Sequence, residues 1–591
     1  MSKAVWLKGL GYTTGLLVTM VAGTLVYLSQ PSVVVVPPAY AQQQAVIPAS
    51  VPHLSHRSPY AASEWPTVHG SASNNDYVPV KQGLEFEHKW YALRGMSTAV
   101  APTTGVDGNL YQTTGNAPGQ SNLFALNRDD GSIVWQTPPW QDKDDFDSCA
   151  ALNAPIVDEQ GDLYVSDCNQ FWAFKPDGQV KWVIELPAPA PGSAYQDIDE
   201  DVLIVDPENP SQHKTVKRLT PIRSFVTAFF TADGSVGGVT VFGDLVIVDR
   251  ETGDAVAEPF RIPGAKPPGT KPPATDRFLL GLMDGRMIQP LFDLIFGRTF
   301  NSSNTPSINP RDGRIFVTAT GREKNTGALY GLDFTPADKV GELGRVSVAT
   351  ESVIGKESGS SPSISPDGEQ VYLTDDTGKL YAIDTRSGAV KCSSVDIGAQ
   401  PGSPSIGRDG SVLMLTKTGA SSLNSNDCSV NWHLDLAWLR DRELPENLEL
   451  LLGERFISGS GIIAVTDSSI IVPMALGYDF SLLGKKIPLT VKYVYFQAHP
   501  GTGELLAGSE PYFASDSNDA WVVPLKDGQM VFDNGAMLTS ISALLAPVVN
   551  PILALQGLSL LSPKGGLESI QSVRYADPLN KLALTPYGAF R

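Results

Sequence analysis

Ser361 to Cys392 reads SPSISPDGEQVYLTDDTGKLYAIDTRSGAVKC, four short strands joined by three tight turns. Pro362-Ser363-Ile364 comes first, and Asp367-Gly368 turns the chain into Gln370 to Thr374, whose apolar residues alternate. Asp375 to Gly378 turns it again into Leu380 to Asp384, and Thr385 to Gly388 into Ala389 to Cys392. Runs of four to six residues punctuated by Asp and Gly form a hairpin meander, because Asp bonds its own backbone in the turn and Gly accepts the positive φ that closes it. One such sheet leaves its faces uncovered, so the unit must recur.

It recurs on both sides. Pro102, Asp107-Gly108, Leu123 to Asn127, Gly131 and Trp135 make one copy; Pro155 to Val157, Leu163 to Val165, Trp172 to Lys175, Gly178 and Trp182 make the next. Asp233-Gly234 with Leu245 to Gly253, then Pro306 to Asp333, precede the quoted stretch. Pro404 to Trp432 follows it, with weaker copies around Ile470 to Gly503 and Trp521 to Phe532. Pro102 and Pro155 are 53 residues apart, Pro362 and Pro404 are 42 apart. Four-stranded repeats of that length are propeller blades. The fold expected is therefore all-β, a seven- or eight-bladed β-propeller with four-stranded blades, eight by count and seven if the last sheet closes with the N-terminal strand. The propeller is expected over 64–535, with 536–591 as an apolar C-terminal segment packed on it.

The repeat unit Ala-x-Asp-x-x-Ser-Gly, seen at Ala382, Asp384, Ser387 and Gly388, with Trp135 and Trp182 ending two other copies, resembles that of the quinoprotein, or PQQ-like, β-propellers. Trp65-Pro66 to Gly70 and then Tyr77 also look like the start of those proteins. The resemblance implies the fold. It leaves activity open, since the family holds cofactor-binding enzymes and cofactor-free scaffolds alike.

The N-terminus places Lys3 and Lys8 before an uncharged, mostly apolar run from Gly9 to Leu28, with Ala39-Tyr40-Ala41 as a small-x-small site. That pattern predicts a secretory signal over 1–41, or an uncleaved anchor touching the membrane, and then a Pro-rich disordered lead-in over 42–63. The predicted location is periplasmic or secreted. A net charge of −19 argues against nucleic acid.

Four cysteines in an exported chain suggest two disulfides. Cys392 occupies the register position of Trp135 and Trp182, and Cys428 that of a turn Gly, which predicts a Cys392–Cys428 staple between adjacent blades. Cys149 and Cys168 fall on connections that share a face, which predicts the second pair. By the same register, the insertions Val183 to Phe225, Ala257 to Asn304, His433 to Phe456 and Ala475 to Val491 all emerge on one face. Three are apolar, with helical patterns in Arg277 to Phe296 and Leu434 to Leu452.

An enzyme of the resembled family would hold PQQ under adjacent cysteines, with calcium and a catalytic Asp nearby. The sequence has no Cys-Cys pair and no haem-attachment motif. Asp142, Asp144, Asp145 and Asp147, and Asp197, Asp199, Glu200 and Asp201, form acidic runs without the frame of a calcium loop. His499 stands where a turn Asp belongs, and Ser458 to Gly461 approaches a nucleophile motif at an inner-strand position. No catalytic, cofactor or metal residue is assigned. The expectation is a non-catalytic binding or assembly module of the envelope, its capped face meeting an envelope protein or a hydrophobic small molecule. The alternative is a quinoprotein dehydrogenase with PQQ and calcium in an atypical site.

Overall fold

The computed structural model describes residues 59–574 apart from 115–120, 141–152, 188–199, 206–212, 219–223, 266–301, 515–520, 534–550, 559–565 and gaps of one to three residues. The predicted signal, and the lead-in as far as residue 58, therefore lie outside the described residues. So do Cys149, Cys168, the first acidic run, Asp197, Asp199 and Arg277 to Phe296. Residues 59–63, expected as disordered, instead lie against the first two blades, where Tyr60 bridges Asp158, Ala61 N–H donates to Val157 O at 2.8 Å and Ser63 Oγ donates to Thr104 O at 2.7 Å.

Eight antiparallel sheets follow one another around a ring. Blade one runs Thr103–Thr104, Leu110–Thr113, Leu123–Leu126 and Ile133–Gln136, in order from axis to rim. The quoted stretch is blade five, with strands Ser363–Ile364, Gln370–Thr374, Leu380–Asp384 and Val390–Ser393. Blades two, three, four and six start at Ile156, Phe229, Ser307 and Ser405, each with four strands. The innermost strands are only two or three residues long, as in Ser307–Ile308 and Ser405–Ile406. The middle strands are buried on both faces and read as continuous apolar runs, such as Leu123–Leu126.

The last blade closes the ring with strands from both ends of the chain. Val522–Pro524, Gln529–Asp533 and Leu567–Arg574 are capped at the rim by Glu85–Ala92. The N-terminal strand thus closes the last sheet, yet the count is eight. Leu567–Arg574 lies beyond the boundary expected at 535, so the propeller reaches 574. Its strand was hidden behind the apolar stretch that precedes it.

The insertions are not uniformly helical. The one before blade seven carries helices Ala437–Glu443 and Glu449–Leu452. The one after blade two carries a hairpin, Glu200–Val205 paired with His213–Arg218. Ala475 to Val491 is an extended hairpin, where strands Ile470–Leu482 and Lys485–Ala498 run on past the blade. Glu454–Gly459 pairs on that extension. Ser458 and Gly459 therefore belong to this outlying strand, while the inner strand is Ala464–Thr466, a correction to the expected inner-strand position.

Neighbouring blades share one rim device. The indole of Trp135, on the outer strand of blade one, lies against Gly178 in the third turn of blade two and donates Nε1–H to Pro176 O at 2.9 Å. Trp90 on Gly131, Trp182 on Gly253 and Trp432 on Gly503 repeat it, with indole hydrogen bonds to Arg128, Arg250 and Pro500 carbonyls. All four glycines have φ between 71° and 82°, and a Cβ at Gly178 would sit 2.7 Å from Trp135 Cε3. Only Gly gives the turn and the indole the same space.

Candidate functional site

The axis of the ring is occupied by the chain itself. Residues 65–76 wind around the bore and present backbone carbonyls to the innermost strands. Trp65 O accepts from Thr104 N–H, Pro66 O from Val157, Ala72 O from Ile308, Ser73 O from Ile364, Asn75 O from Ile406 and Asp76 O from Val465, at 2.8 to 3.0 Å. These donors belong to blades one, two, four, five, six and seven. An inner strand has a free edge, and the plug satisfies edges that would otherwise be buried without partners. Tyr77–Val78 then pairs in parallel with Val465–Thr466. The segment enters from the face of the first turns, where Tyr60 bridges Asp158, so the insertions lie on the opposite face.

Asn74 and Asp76 hold φ of 54° and 56°, the left-handed region that Asn and Asp tolerate better than most residues. The Asn74 amide donates to Thr305, Pro306 and Pro362 carbonyls, joining blades four and five to the plug. Within the plug, His69 Nδ1 meets Asp76 Oδ1 at 2.8 Å, and Ser405 Oγ of blade six donates to the other carboxylate oxygen at 3.0 Å. Both charged-type side chains are fully buried. Burial pushes the Asp76 carboxyl above its ordinary range, opposed by His69 and Ser405. The His69 ring stands 5.5 Å from that of Trp521, at the start of blade eight, and its Nε2 has no hydrogen-bond partner among the described residues. Hydroxyl contacts also run between blades. Thr305 Oγ1 bonds Thr227 Oγ1, Ser361 Oγ accepts from Thr305 N–H, and Ser403 Oγ accepts from Ser361 N–H.

On the opposite face the apolar insertion before blade seven buries most of its own apolar residues. Leu436, Leu439, Leu444, Leu448 and Leu452 pack with Leu476, Tyr478 and Leu489 of the extended hairpin, and with Leu553 and Leu558. Arg455 ties the helices down, bonding Glu449 at 2.7 Å and the Leu444 carbonyl at 3.1 Å. Leu450 stays 86% exposed, and Leu451 beside it is partly exposed.

Cys392 and Cys428 form a disulfide joining the outer strand of blade five to the third turn of blade six. His499 substitutes for a turn carboxylate, its Nδ1 accepting the Gly501 N–H at 3.2 Å. Asp375 is a turn residue, accepting from Thr377 N–H and Tyr381 O–H. No group of three metal-ligating side chains occurs among the described residues, and none of their helices is long and apolar enough to cross a membrane. The plug, with His69, Asn74 and Asp76, went unread in the sequence. Its one local signal is the run Asn74-Asn75-Asp76, residue types that suit left-handed backbone.

No family model matches this chain, and no curated relative does. The chain is similar to solved structures that include a quinohemoprotein alcohol dehydrogenase from Pseudomonas putida HK5, at 13% identity over 90% of this chain and 84% of that one, with a TM-score of 0.46. A europium-containing methanol dehydrogenase aligns at 10% identity over 87% and 98%, with a TM-score of 0.45. BamB from Moraxella catarrhalis aligns at 11% over 70% and 96%, with a TM-score of 0.36. The likeness is one of fold.

Proposed function

We propose that this chain is an exported, non-catalytic binding or assembly module of the bacterial envelope that meets its target on the capped face. The observation that carries the reading is the division of labour between the two faces. Residues 65–76 fill the bore with hydrogen bonds to six blades, while the cap spends its leucines on its own packing and leaves Leu450 outside. Export is supported by the basic-then-apolar N-terminus and by the Cys392–Cys428 disulfide. The target chemistry is an apolar surface of an envelope protein, which an exposed leucine pair on a rigid cap suits.

A photo-crosslinker placed at Leu450 in cells, with Glu159 on the opposite face as control, tests it. An adduct at Leu450 that disappears in Leu451→Asp supports the reading; equal adducts at both positions overturn it. Turnover in a dye-reduction assay after reconstitution with PQQ and calcium would establish a dehydrogenase instead. A co-purifying lipid identified by mass spectrometry would reassign the cap to a hydrophobic small molecule.

A further inference from the structure

Four seams of the ring are closed by an indole on a glycine, and the seam between blades five and six is closed by Cys392 and Cys428 in the same two positions. Cys428 keeps the glycine's role in full: its N–H bonds Asn424 O at 3.0 Å as Gly131 bonds Asn127 O, and its φ is 59°. A residue with a Cβ is strained in that region and persists there only when its surroundings enforce it. Here the enforcing contact is the bond to Cys392. A thiol at 392 is far shorter than an indole and cannot cover the turn without that bond. Cys392 is partly exposed on the outer strand, whereas Cys428 is 3% exposed.

We propose that Cys392 is a thiol–disulfide exchange site whose oxidation with Cys428 locks the rim between blades five and six. The Cys392 thiolate attacks a disulfide-bearing oxidant, forming a mixed disulfide and expelling one oxidant thiolate. The Cys428 thiolate then attacks Sγ of Cys392 and expels the second. The cysteines lose two protons and two electrons, and the oxidant leaves as a dithiol. In the reverse direction a reductant reaches Cys392 first, Cys428 departs as the buried thiolate, and the left-handed turn is free to relax. The inner part of the seam is independent of this chemistry, since Ser363 Oγ still donates to Pro404 O and Thr374 Oγ1 to Gly402 O. The consequence is a rim that opens locally while the ring stays closed at the axis. This does not depend on what the capped face binds.

The test uses the full chain, read by peptide mass so that Cys149 and Cys168 do not contribute. With oxidised glutathione as probe, Cys428→Ser is expected to form a mixed disulfide at Cys392, about tenfold or more faster than Cys392→Ser forms one at Cys428. Dithiothreitol on the unmodified protein should raise amide exchange in Val390–Ser393 and in the Asn424 to Val430 turn by about tenfold or more, leaving the Trp135–Gly178 seam unchanged. The double variant Cys392→Trp, Cys428→Gly should be insensitive to the reductant. If that variant does not fold, reduction of the unmodified protein decides. Failure of dithiothreitol to reduce the folded protein, unchanged exchange after reduction, or equal reactivity of the two cysteines overturns the proposal.

Discussion

The imidazole of His69 and the carboxylate of Asp76 meet at 2.8 Å with no exposure to solvent, inside a plug that otherwise reaches the innermost strands chiefly through backbone carbonyls and the Asn74 amide.

Removing one member leaves the other buried and uncompensated. Asp76→Ala is expected to cost about 3–5 kcal/mol, because loss of one partner strands a polar group. Adding His69→Phe should recover part of that cost. Denaturant unfolding of the two single variants and the double measures the coupling, and costs that simply add would show that the two side chains act independently.

Asn74 carries two separable loads, its left-handed backbone and its amide bridge to blades four and five. Asn74→Gly keeps the φ of 54° available and deletes the amide, so it reads the three carbonyl contacts alone. A cost of about 2 kcal/mol is expected. Asn74→Ala should cost about 1 kcal/mol more, from strain in the left-handed region. Thermal unfolding of both variants checks the order, and Asn74→Gly unfolding like the unmodified chain would remove the bridge from the account.

The blades were legible because their determinants are local: Asp367-Gly368 and Ser387-Gly388 fix turns, and the spacing from Gly178 to Trp182 fixes a register. That register also placed Cys392 opposite Cys428 without a long-range contact in view. The plug was not legible, because its bonds run through backbone carbonyls of Trp65, Pro66, Ala72 and Ser73, which no side chain announces. The closing strand Leu567–Arg574 was missed for a different reason. Its apolar residues, Leu567, Ile570 and Val573, fall three apart rather than alternating, and it has neither the Pro start nor the Gly turn of the repeat. Ala475 to Val491 is legible as an insertion because turn residues are missing from their usual place, but not as a strand pair. The strands continued instead, and Leu476, Tyr478 and Leu489 became the floor on which the helical cap packs.

Trp182 and Gly253 test the rim clasp at a well-buried seam. Trp182 is 8% exposed, packs with Phe171 and Tyr164 rings and donates to Arg250 O at 2.9 Å. Trp182→Ala is expected to cost about 3–5 kcal/mol. Gly253→Ala should cost about 1–3 kcal/mol, combining the strain of φ 77° with a Cβ 2.9 Å from the indole. With the indole gone the clash is gone, so the double variant should lose less than the sum of the singles. Full additivity in urea unfolding would mean that the indole does not rest on the glycine.

The clasp between blades six and seven should be sensitive to acid. The turn His499 to Gly503 supports Trp432, and His499 Nδ1 accepts the Gly501 N–H that Asp384 Oδ1 or Asn424 Oδ1 would accept at the matching position of another blade. An imidazole nitrogen keeps that role only while unprotonated. Burial holds His499 below its ordinary value of 6.5, with Asp409 opposing more weakly. A depressed folded-state value means that the unfolded chain binds the proton more readily. The stability contributed by the neutral imidazole is then complete above the unfolded value and is lost as pH falls from there through the folded one. Midpoints of denaturant unfolding measured from about pH 7 down to about pH 5 should therefore fall more steeply for the unmodified chain than for His499→Asn, whose amide oxygen accepts the same N–H at every pH in that range. Amide exchange at Gly501 should accelerate over the same interval in the unmodified chain alone. Parallel pH profiles for the two proteins would show that His499 is not the group that titrates.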